Sequence, residues 1–310
     1  MTENFRVAGL NLSAIHSLPG SPFEKLVGFA PFRVKENPEK VHLLYDMTYS
    51  LEDLESERLA AEELKPVYKF HFEDEDIFCR FYVSPDESRY WFEMEDEVGG
   101  KLHFFEAHFE EKTLVVRCNW QENRNYPMLR FSLWMAFSIA CTFNSAIAIH
   151  SSCIVWNSSG KAALFLGESG TGKSTHTRLY NEVFGAEAVH LLNDDCPIIK
   201  AESDGSVRVY GSPWSGKTPC YRNEDYALAG LCRLSQAPEN KIHTLGILPA
   251  FQAIYPSCPP ALTRNEIFKD KICAILSIVL SDIPVYHLEC LPDGDAARLS
   301  ARWIFEGREA

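Results

Sequence analysis

One segment of this chain has the residue types and the spacing to hold a phosphate group. Residues 167–175 read Gly-Glu-Ser-Gly-Thr-Gly-Lys-Ser-Thr, which is the Gly-x4-Gly-Lys-Ser pattern of a P-loop. Glycines let backbone N–H groups turn inward around an anion. Lys173 offers a positive charge to the outer phosphates, and the Ser174 hydroxyl is a suitable ligand for Mg²⁺. The residues expected to bind the nucleotide are Gly167, Ser169, Gly170, Thr171, Gly172, Lys173, Ser174 and Thr175.

A Gly- and Ser-rich surface turn could match this pattern by chance, but the flanking residues argue against a chance match. The strand-like segment 161–166 runs directly into the loop, and residues 174–180 resemble the start of a helix. The unpaired N–H groups and the positive dipole end of that helix would then face the phosphates. The sequence therefore predicts that this loop binds a nucleotide together with Mg²⁺.

Two adjacent carboxylates, Asp194 and Asp195, end the next predicted strand, at 188–192. At the carboxyl end of a strand beside a P-loop, one carboxylate can serve a metal ion and the other the nucleophile. Because neighbouring strand residues point to opposite faces, both side chains reach the site only if the strand has ended there. An ordinary polar turn is the alternative interpretation of the pair.

Three residues of a following loop are weaker candidates for contact with a substrate. Trp214 lies in the segment Gly-Ser-Pro-Trp-Ser-Gly-Lys, and Lys217 at its end could pair with an anionic group. A loop tryptophan packed on the sheet is an equally good interpretation. Arg222 is a still weaker candidate for a phosphate contact.

The elements of the first 125 residues are predicted mostly as strands. Runs of β-branched and aromatic residues alternate there with polar turns, and one acidic amphipathic helix is predicted at 50–64. The predicted strands are 5–15, 42–48, 67–72, 78–83, 89–94, 102–108 and 113–120. A polar break at 121–127 and a following helix at 128–143 predict two domains, 1–125 and 126–310.

Hairpins are predicted on both sides of the loop. Segments 147–156 and 161–166 are separated by a tight turn, and a second hairpin spans 197–209. Hairpin strands pair antiparallel, whereas the doubly wound P-loop fold alternates strands and helices around a parallel sheet. The predicted fold class is therefore α/β of the α+β kind, with a β-rich N-terminal domain followed by a P-loop domain built on a mixed sheet. A helix at 264–280, a strand at 285–291 and a last helix from 295 complete the prediction.

Composition and charge exclude several functions. A net charge of −13 argues against nucleic acid or an anionic membrane as a partner, since both require a basic surface. The ten cysteines include no Cys-x-x-Cys pair, so zinc-site spacing is absent and reduced thiols of a cytoplasmic protein are expected. The uncharged stretch 131–160 is interrupted by polar residues, which favours a buried helix and strand over a transmembrane helix. These observations predict a soluble cytoplasmic protein and leave self-association open.

Three landmarks occur in the order found in a known enzyme family. They are His150-Ser-Ser, the loop Gly-Glu-Ser-Gly-Thr-Gly-Lys-Ser, and the pair Asp194-Asp195. With them, residues of about 128–300 resemble the catalytic domain of the HPr kinase/phosphorylase family, whose fold is of the phosphoenolpyruvate-carboxykinase type. The first 125 residues do not share this resemblance.

The resemblance implies a role for each matching residue. It implies that Lys173 and the loop amides hold the β-phosphate of ATP, and that Ser174 with Asp195 holds Mg²⁺. It further implies that Asp194 is the general base on an acceptor hydroxyl and that His150 lies near the transferred phosphoryl group. A buried, hydrogen-bonded histidine is the alternative for His150.

The sequence also departs from that family. The loop with which bacterial HPr kinases bind their protein substrate is not recognisable, which argues against the HPr protein as the acceptor. The expected acceptor is a serine-type hydroxyl on a small molecule or peptide. No guanine-reading Asn-Lys-x-Asp occurs, which makes ATP the default donor and leaves ADP and pyrophosphate open. A carboxykinase acting on an oxoacid and a non-catalytic nucleotide-binding regulator are the competing functions, and the complete set of catalytic residues favours an enzyme.

Overall fold

The computed structural model describes residues 1–72, 76–96, 100, 102–216 and 218–307. In this part of the chain the protein is mixed α/β, with two mixed sheets of nine strands each and seven α-helices. The chain divides into two compact units, of which each takes two segments. The first unit comprises Met1–Asn144 and Pro260–Asp270, and the second comprises Ser145–Pro259 and Lys271–Ala310.

The first unit is built on one sheet with the strand order β3-β1-β2-β4-β9-β8-β7-β6-β5. Neighbouring strands are antiparallel except for β4, which is parallel to both β2 and β9. The elements are β1 (Thr2–Val7), β2 (Leu10–Ile15), β3 (Arg33–Val34), β4 (Leu43–Asp46), α1 (Glu55–Glu62), β5 (Tyr68–Phe72), β6 (Ile77–Val83), β7 (Arg89–Asp96), β8 (Leu102–Glu110), β9 (Thr113–Cys118), α2 (Trp120–Asn123) and α3 (Tyr126–Thr142).

The predicted strand 5–15 is wrong in one respect, because the structure folds it into a hairpin. Ala8 and Gly9 have φ angles of 51° and 73°, and this left-handed pair turns β1 back onto β2. Two successive residues with positive φ match the right-handed twist of paired strands. Only Gly9 signals the turn in the sequence, and a single glycine inside an apolar run is a weak signal.

Helix α3 packs on the sheet of the first unit, against β4, β8 and β9. Its buried Ser132 is hydrogen-bonded to the Tyr45 hydroxyl and lies 2.8 Å from Nε2 of His103. The predicted boundary at 125/126 therefore differs from the division of the structure, which falls between Asn144 and Ser145. Helix α3 is apolar and mostly buried, so it requires an apolar surface on which to pack, and the β-rich sheet provides it.

The second unit has the strand order β10-β14-β15-β16-β12-β11-β13, with β18 beside β16 and β17 beside β18. Strand β16 is parallel to β12 and to β18, and the other pairs are antiparallel. The elements are β10 (Ala146–Ala148), β11 (Ser151–Trp156), β12 (Lys161–Leu166), α4 (Lys173–Phe184), β13 (Val189–Asp195), β14 (Ile198–Ala201), β15 (Val207–Tyr210), β16 (Asp225–Gln236), β17 (Lys241–Thr244), α5 (Ile247–Ile254), α6 (Glu266–Asp282), β18 (Val285–Cys290) and α7 (Gly294–Phe305).

The predicted hairpins beside the loop are present as β11–β12 and β14–β15. The predicted strand 147–156 is wrong in one respect, because its first residues lie in β10, which pairs with β14, and only β11 pairs with β12. Strand β11 is antiparallel to both β12 and β13, so the carboxyl ends of β12 and β13 lie at the same edge of the sheet. The carboxyl end of β16 lies there too. Helices α4 and α7 pack together over one face, around a core that includes Phe165 and Tyr180. No helix among the described residues has the length and apolar character needed to cross a bilayer.

Candidate functional site

The glycine-rich loop connects the buried strand β12 to helix α4. Gly170 and Gly172 have φ angles of 80° and 109°, a region that residues with a Cβ rarely adopt. Gly172 occupies the N-cap of α4, and no described side chain caps that helix end. The first N–H groups of α4 therefore stay available for an anion, where the helix dipole also favours negative charge.

Lys173, the first residue of α4, is buried and folds back over the loop. Its Nζ donates to the carbonyl oxygens of Gly167 at 2.8 Å and Glu168 at 3.1 Å. Burial lowers the pKa of Lys173, although the nearby carboxylates of Asp195 and Asp194 act in the opposite direction. The ammonium group is thus held at the loop by neutral carbonyl groups, which a phosphate can replace as partners.

The two aspartates lie at the end of β13, where the register with β11 pairs Asp194 with Ser152 and Asp195 with Ser151. The Ser174 hydroxyl donates a hydrogen bond of 2.9 Å to Oδ1 of Asp194. Asp194 is only 4% exposed. The structure therefore pairs Ser174 with Asp194, whereas the resemblance implies a pair with Asp195.

Asp195 faces a different partner. Its Oδ1 lies 3.1 Å from Nδ1 of His150, and the two side chains are 40% and 48% exposed. The proximity follows from the register, because His150 immediately precedes the residue that pairs with Asp195. Asp195 has a φ of 124°, a strained conformation for a residue with a side chain, which costs about 1–3 kcal/mol. With this backbone conformation, two consecutive side chains of one strand both lie at the same edge of the sheet.

The loop that follows β15 is fastened to this pair. The carbonyl oxygen of Asp194 accepts hydrogen bonds from the Gly216 amide at 2.6 Å and from the Ser215 hydroxyl at 3.0 Å. Trp214 is 3% exposed, so its side chain offers little surface to a substrate, and its packing is the arrangement that the alternative interpretation describes.

Asn193 is a positioning residue that the sequence reasoning did not single out. Its buried side chain donates to the Trp214 carbonyl at 3.0 Å and accepts from the Cys196 amide at 2.8 Å. It therefore ties the strand end to the loop. The sequence signal was an asparagine directly before the aspartate pair, which is also the composition of an ordinary turn.

The remaining two loop candidates have different outcomes. Lys217 lies outside the described residues. Arg222 is partly exposed and lines a cleft of about 450 Å³ together with Ser174 and Asp194. The nearest carboxylate to its guanidinium is that of Glu224, at 3.5 Å. The structure thus brings Arg222 to the same cleft as Ser174.

Arg233 is a second residue that the sequence reasoning missed. Parallel pairing of β16 with β12 places it beside Leu166, the last residue before the loop. Its guanidinium donates to the Ala253 carbonyl at 3.2 Å and lies 3.6 Å from Glu168. Its positive charge also lowers the pKa of Lys173. The arginine could have been found only if the pairing of the two distant strands had been known.

The oxygen atoms at this site suit Mg²⁺. Ser174 and Asp194 present a hydroxyl and a carboxylate 2.9 Å apart, the two protein ligands that a P-loop magnesium site uses. Mg²⁺ completes its octahedron with water and phosphate oxygens instead of a protein cage. Among the described residues, no group of three His, Cys, Asp or Glu side chains could hold a metal ion.

Comparison of the chain with models of protein families and with curated proteins finds no match in either case. The chemistry of the site must therefore be inferred from its own residues.

Proposed function

We propose that this protein is an ATP-dependent kinase that uses Mg²⁺ and transfers a phosphoryl group to a serine-type hydroxyl of a small molecule or peptide. The observation that carries the proposal is the hydrogen bond from Ser174 to Asp194 beside an uncapped helix end. It joins a phosphate-binding loop to the carboxylate that such loops use for magnesium. We thus propose that residues 145–310 are similar in function to the HPr kinase/phosphorylase-like enzymes that the motifs resemble.

The phosphates of ATP would lie over the loop, within reach of the first amides of α4 and of Lys173. Because Lys173 is held by two carbonyl oxygens, its movement onto a phosphate exchanges neutral partners for a charged one. Mg²⁺, held by Ser174 and Asp194, would neutralise charge on the outer phosphates.

The geometry favours an exchange of the two aspartate roles that the resemblance implies. Asp194 is buried against the P-loop serine, as a metal ligand should be. Asp195 is much more exposed and is paired with His150, so an acceptor can reach it. We therefore assign the metal to Asp194 and the general base to Asp195, with His150 orienting the base.

The bonds that form and break and the proton that moves in the transfer step are then as follows. The acceptor hydroxyl gives its proton to the Asp195 carboxylate, and its oxygen forms a bond to the γ-phosphorus while the bond to the bridging oxygen breaks. The products are ADP and a phosphate ester, and the proton passes from Asp195 to water.

Calorimetry with MgATP tests the loop. We expect Lys173→Ala to lower the affinity by about 10²-fold, because the charge-assisted contact to the phosphates is lost. The control is Lys161→Ala, which removes an exposed lysine at the start of β12 and should leave the affinity unchanged. Undiminished affinity in Lys173→Ala would contradict the proposal.

A further inference from the structure

A second cleft, of about 580 Å³, opens beside the glycine loop within the second unit. The loop contributes Gly170 and Gly172 to its wall, and α4 contributes Leu179. Leu234 near the end of β16 and Leu291 just after β18 form much of the remaining surface. Pockets for small molecules have volumes of roughly 300–1,000 Å³ and largely apolar walls, and this cleft has both properties.

The wall of this cleft carries no formal charge. None of the described residues that line it is Asp, Glu, Lys or Arg. His176 lines it as well, as a buried ring whose Nε2 lies 3.1 Å from the Ser300 hydroxyl. An anion in the cleft would lose water without gaining a cation, which is costly. The cleft therefore suits an uncharged group that is continuous with a phosphate on the loop.

The cleft and the aspartates lie on opposite sides of β12, which indicates how a bound ligand would be oriented. Strands β16 and β18 lie on one side of β12, and β11 and β13 lie on the other. Ser174 and Asp194 belong to the β13 side, where they line the separate cleft that contains Arg222. A ligand whose outer phosphates are held at Ser174 and Asp194 can place its other end on the β16 and β18 side, because Gly170 and Gly172 of the same loop line the cleft there.

The wall is also fixed before any ligand arrives. The amide of Ala237 donates to the carbonyl of Cys290 at 3.1 Å, and the amide of Leu291 donates to the side chain of Asn240 at 2.8 Å. A preformed wall reduces the ordering cost of binding. Leu291 nevertheless stays 39% exposed, so a ligand in the cleft can remove apolar surface from water.

We propose that this cleft binds the base and ribose of the phosphoryl donor, which makes the donor a nucleoside polyphosphate and not pyrophosphate. The inference rests on the proposed function, because the loop must bind the phosphates. It adds that the nucleoside contributes its own share of the affinity, through apolar contacts with Leu179, Leu234 and Leu291.

Calorimetry on the full chain with two probes, MgATP and magnesium tripolyphosphate, tests the assignment. We expect ATP to bind at least tenfold more tightly than tripolyphosphate. Leu291→Ser should weaken ATP binding by about three- to tenfold, because an apolar contact is lost, and should leave tripolyphosphate binding unchanged. The control Leu248→Ser alters a leucine of α5 that is 76% exposed and lies outside the cleft, and it should affect neither probe.

A complementary measurement uses 8-azido-ATP and mass spectrometry of the labelled peptides. We expect adducts at 234–238 or 290–292. Equal affinity for ATP and tripolyphosphate, with no effect of Leu291→Ser, would overturn the cleft assignment and leave the loop intact. Equal weakening of both probes by Leu291→Ser, or adducts at 218–222, would also overturn it. Failure of both probes to bind would instead overturn the proposed function, and the cleft assignment with it.

Discussion

At the scale of single residues, the side chains of two neighbouring aspartates lie in different environments. Asp194 is buried and accepts a hydrogen bond from Ser174, while Asp195 is exposed and paired with His150. Identical side chains can perform different tasks only if their environments differ. The backbone departs from regular strand geometry at Asp195, with a φ of 124°, at the point where the two surroundings differ.

The variants Asp194→Asn and Asp195→Asn should therefore separate binding from chemistry. We expect Asp194→Asn to weaken MgATP binding by about 10–100-fold, since a neutral amide is a poor Mg²⁺ ligand. Asp195→Asn should leave that affinity within about twofold and reduce turnover of ATP by about 10²–10⁴-fold, since the general base is lost. Calorimetry with Mg²⁺ and with excess chelator, together with release of ADP, measures the two effects.

Each outcome of this comparison is informative. If the two variants show the opposite phenotypes, the roles implied by the family resemblance are right and the exchange proposed from the geometry is wrong. If neither variant alters binding or turnover, the pair is an ordinary strand end and the kinase proposal fails.

At the scale of elements, helix α4 is tied to α7 through a buried polar cluster. The Ser300 hydroxyl lies 3.1 Å from Nε2 of His176 and 2.7 Å from the Tyr180 hydroxyl, and it donates to the Ala296 carbonyl at 3.0 Å. Burial lowers the pKa of His176 from 6.5 to about 4. The histidine is neutral in the folded protein at a pH where the unfolded chain already binds a proton.

This difference predicts a pH dependence of stability. Because the pKa of His176 is lower in the folded protein than in the unfolded chain, neutral His176 contributes fully to the free energy of unfolding above pH 6.5. This contribution is lost as the pH falls toward 4, by about 3 kcal/mol in total. Urea unfolding of the wild type and of His176→Gln at pH 7 and pH 4 measures it, with the exposed His243→Gln as the control. The stability advantage of the wild type over His176→Gln should shrink by that amount. An advantage that is the same at both pH values would contradict the assignment.

Elements with a local signal were predicted well from the sequence. Strand β12 was predicted at 161–166 and occupies Lys161–Leu166, and α3 was predicted at 128–143 and occupies Tyr126–Thr142. Both elements have a hydrophobic pattern that can be recognised from their own residues alone. The site depends instead on non-local pairing. The contact of Ser174 with Asp194 and the place of Arg233 beside Leu166 follow from strand register and from the strained Asp195, and no local pattern reveals these features.

At the scale of the whole molecule, the chain crosses between its two units more than once. The segment Pro260–Asp270 belongs to the first unit although its neighbours in sequence belong to the second. Within the first unit Phe268 is fully buried, and its ring lies 5.3 Å from that of Tyr90 and 6.0 Å from that of Phe143. A simple division into an N-terminal and a C-terminal half therefore cannot keep every core residue in its own core.

This organisation predicts how two fragments behave. Fragment 126–310 carries α3 without its sheet, so the residues Leu129, Leu133 and Phe137, which are buried in the intact chain, would face water and cause aggregation. Fragment 145–310 lacks that helix and should stay in solution better and bind MgATP, although Phe268 loses its partners.

The substitution Phe268→Ser should improve the solubility of fragment 145–310 and destabilise the intact chain by about 3–5 kcal/mol, because a buried aromatic side chain is removed. Size-exclusion chromatography with light scattering, calorimetry with MgATP and urea unfolding measure these effects. A monodisperse, nucleotide-binding fragment 126–310 beside an insoluble fragment 145–310 would show instead that α3 belongs to the nucleotide-binding unit and that the boundary lies at 125/126.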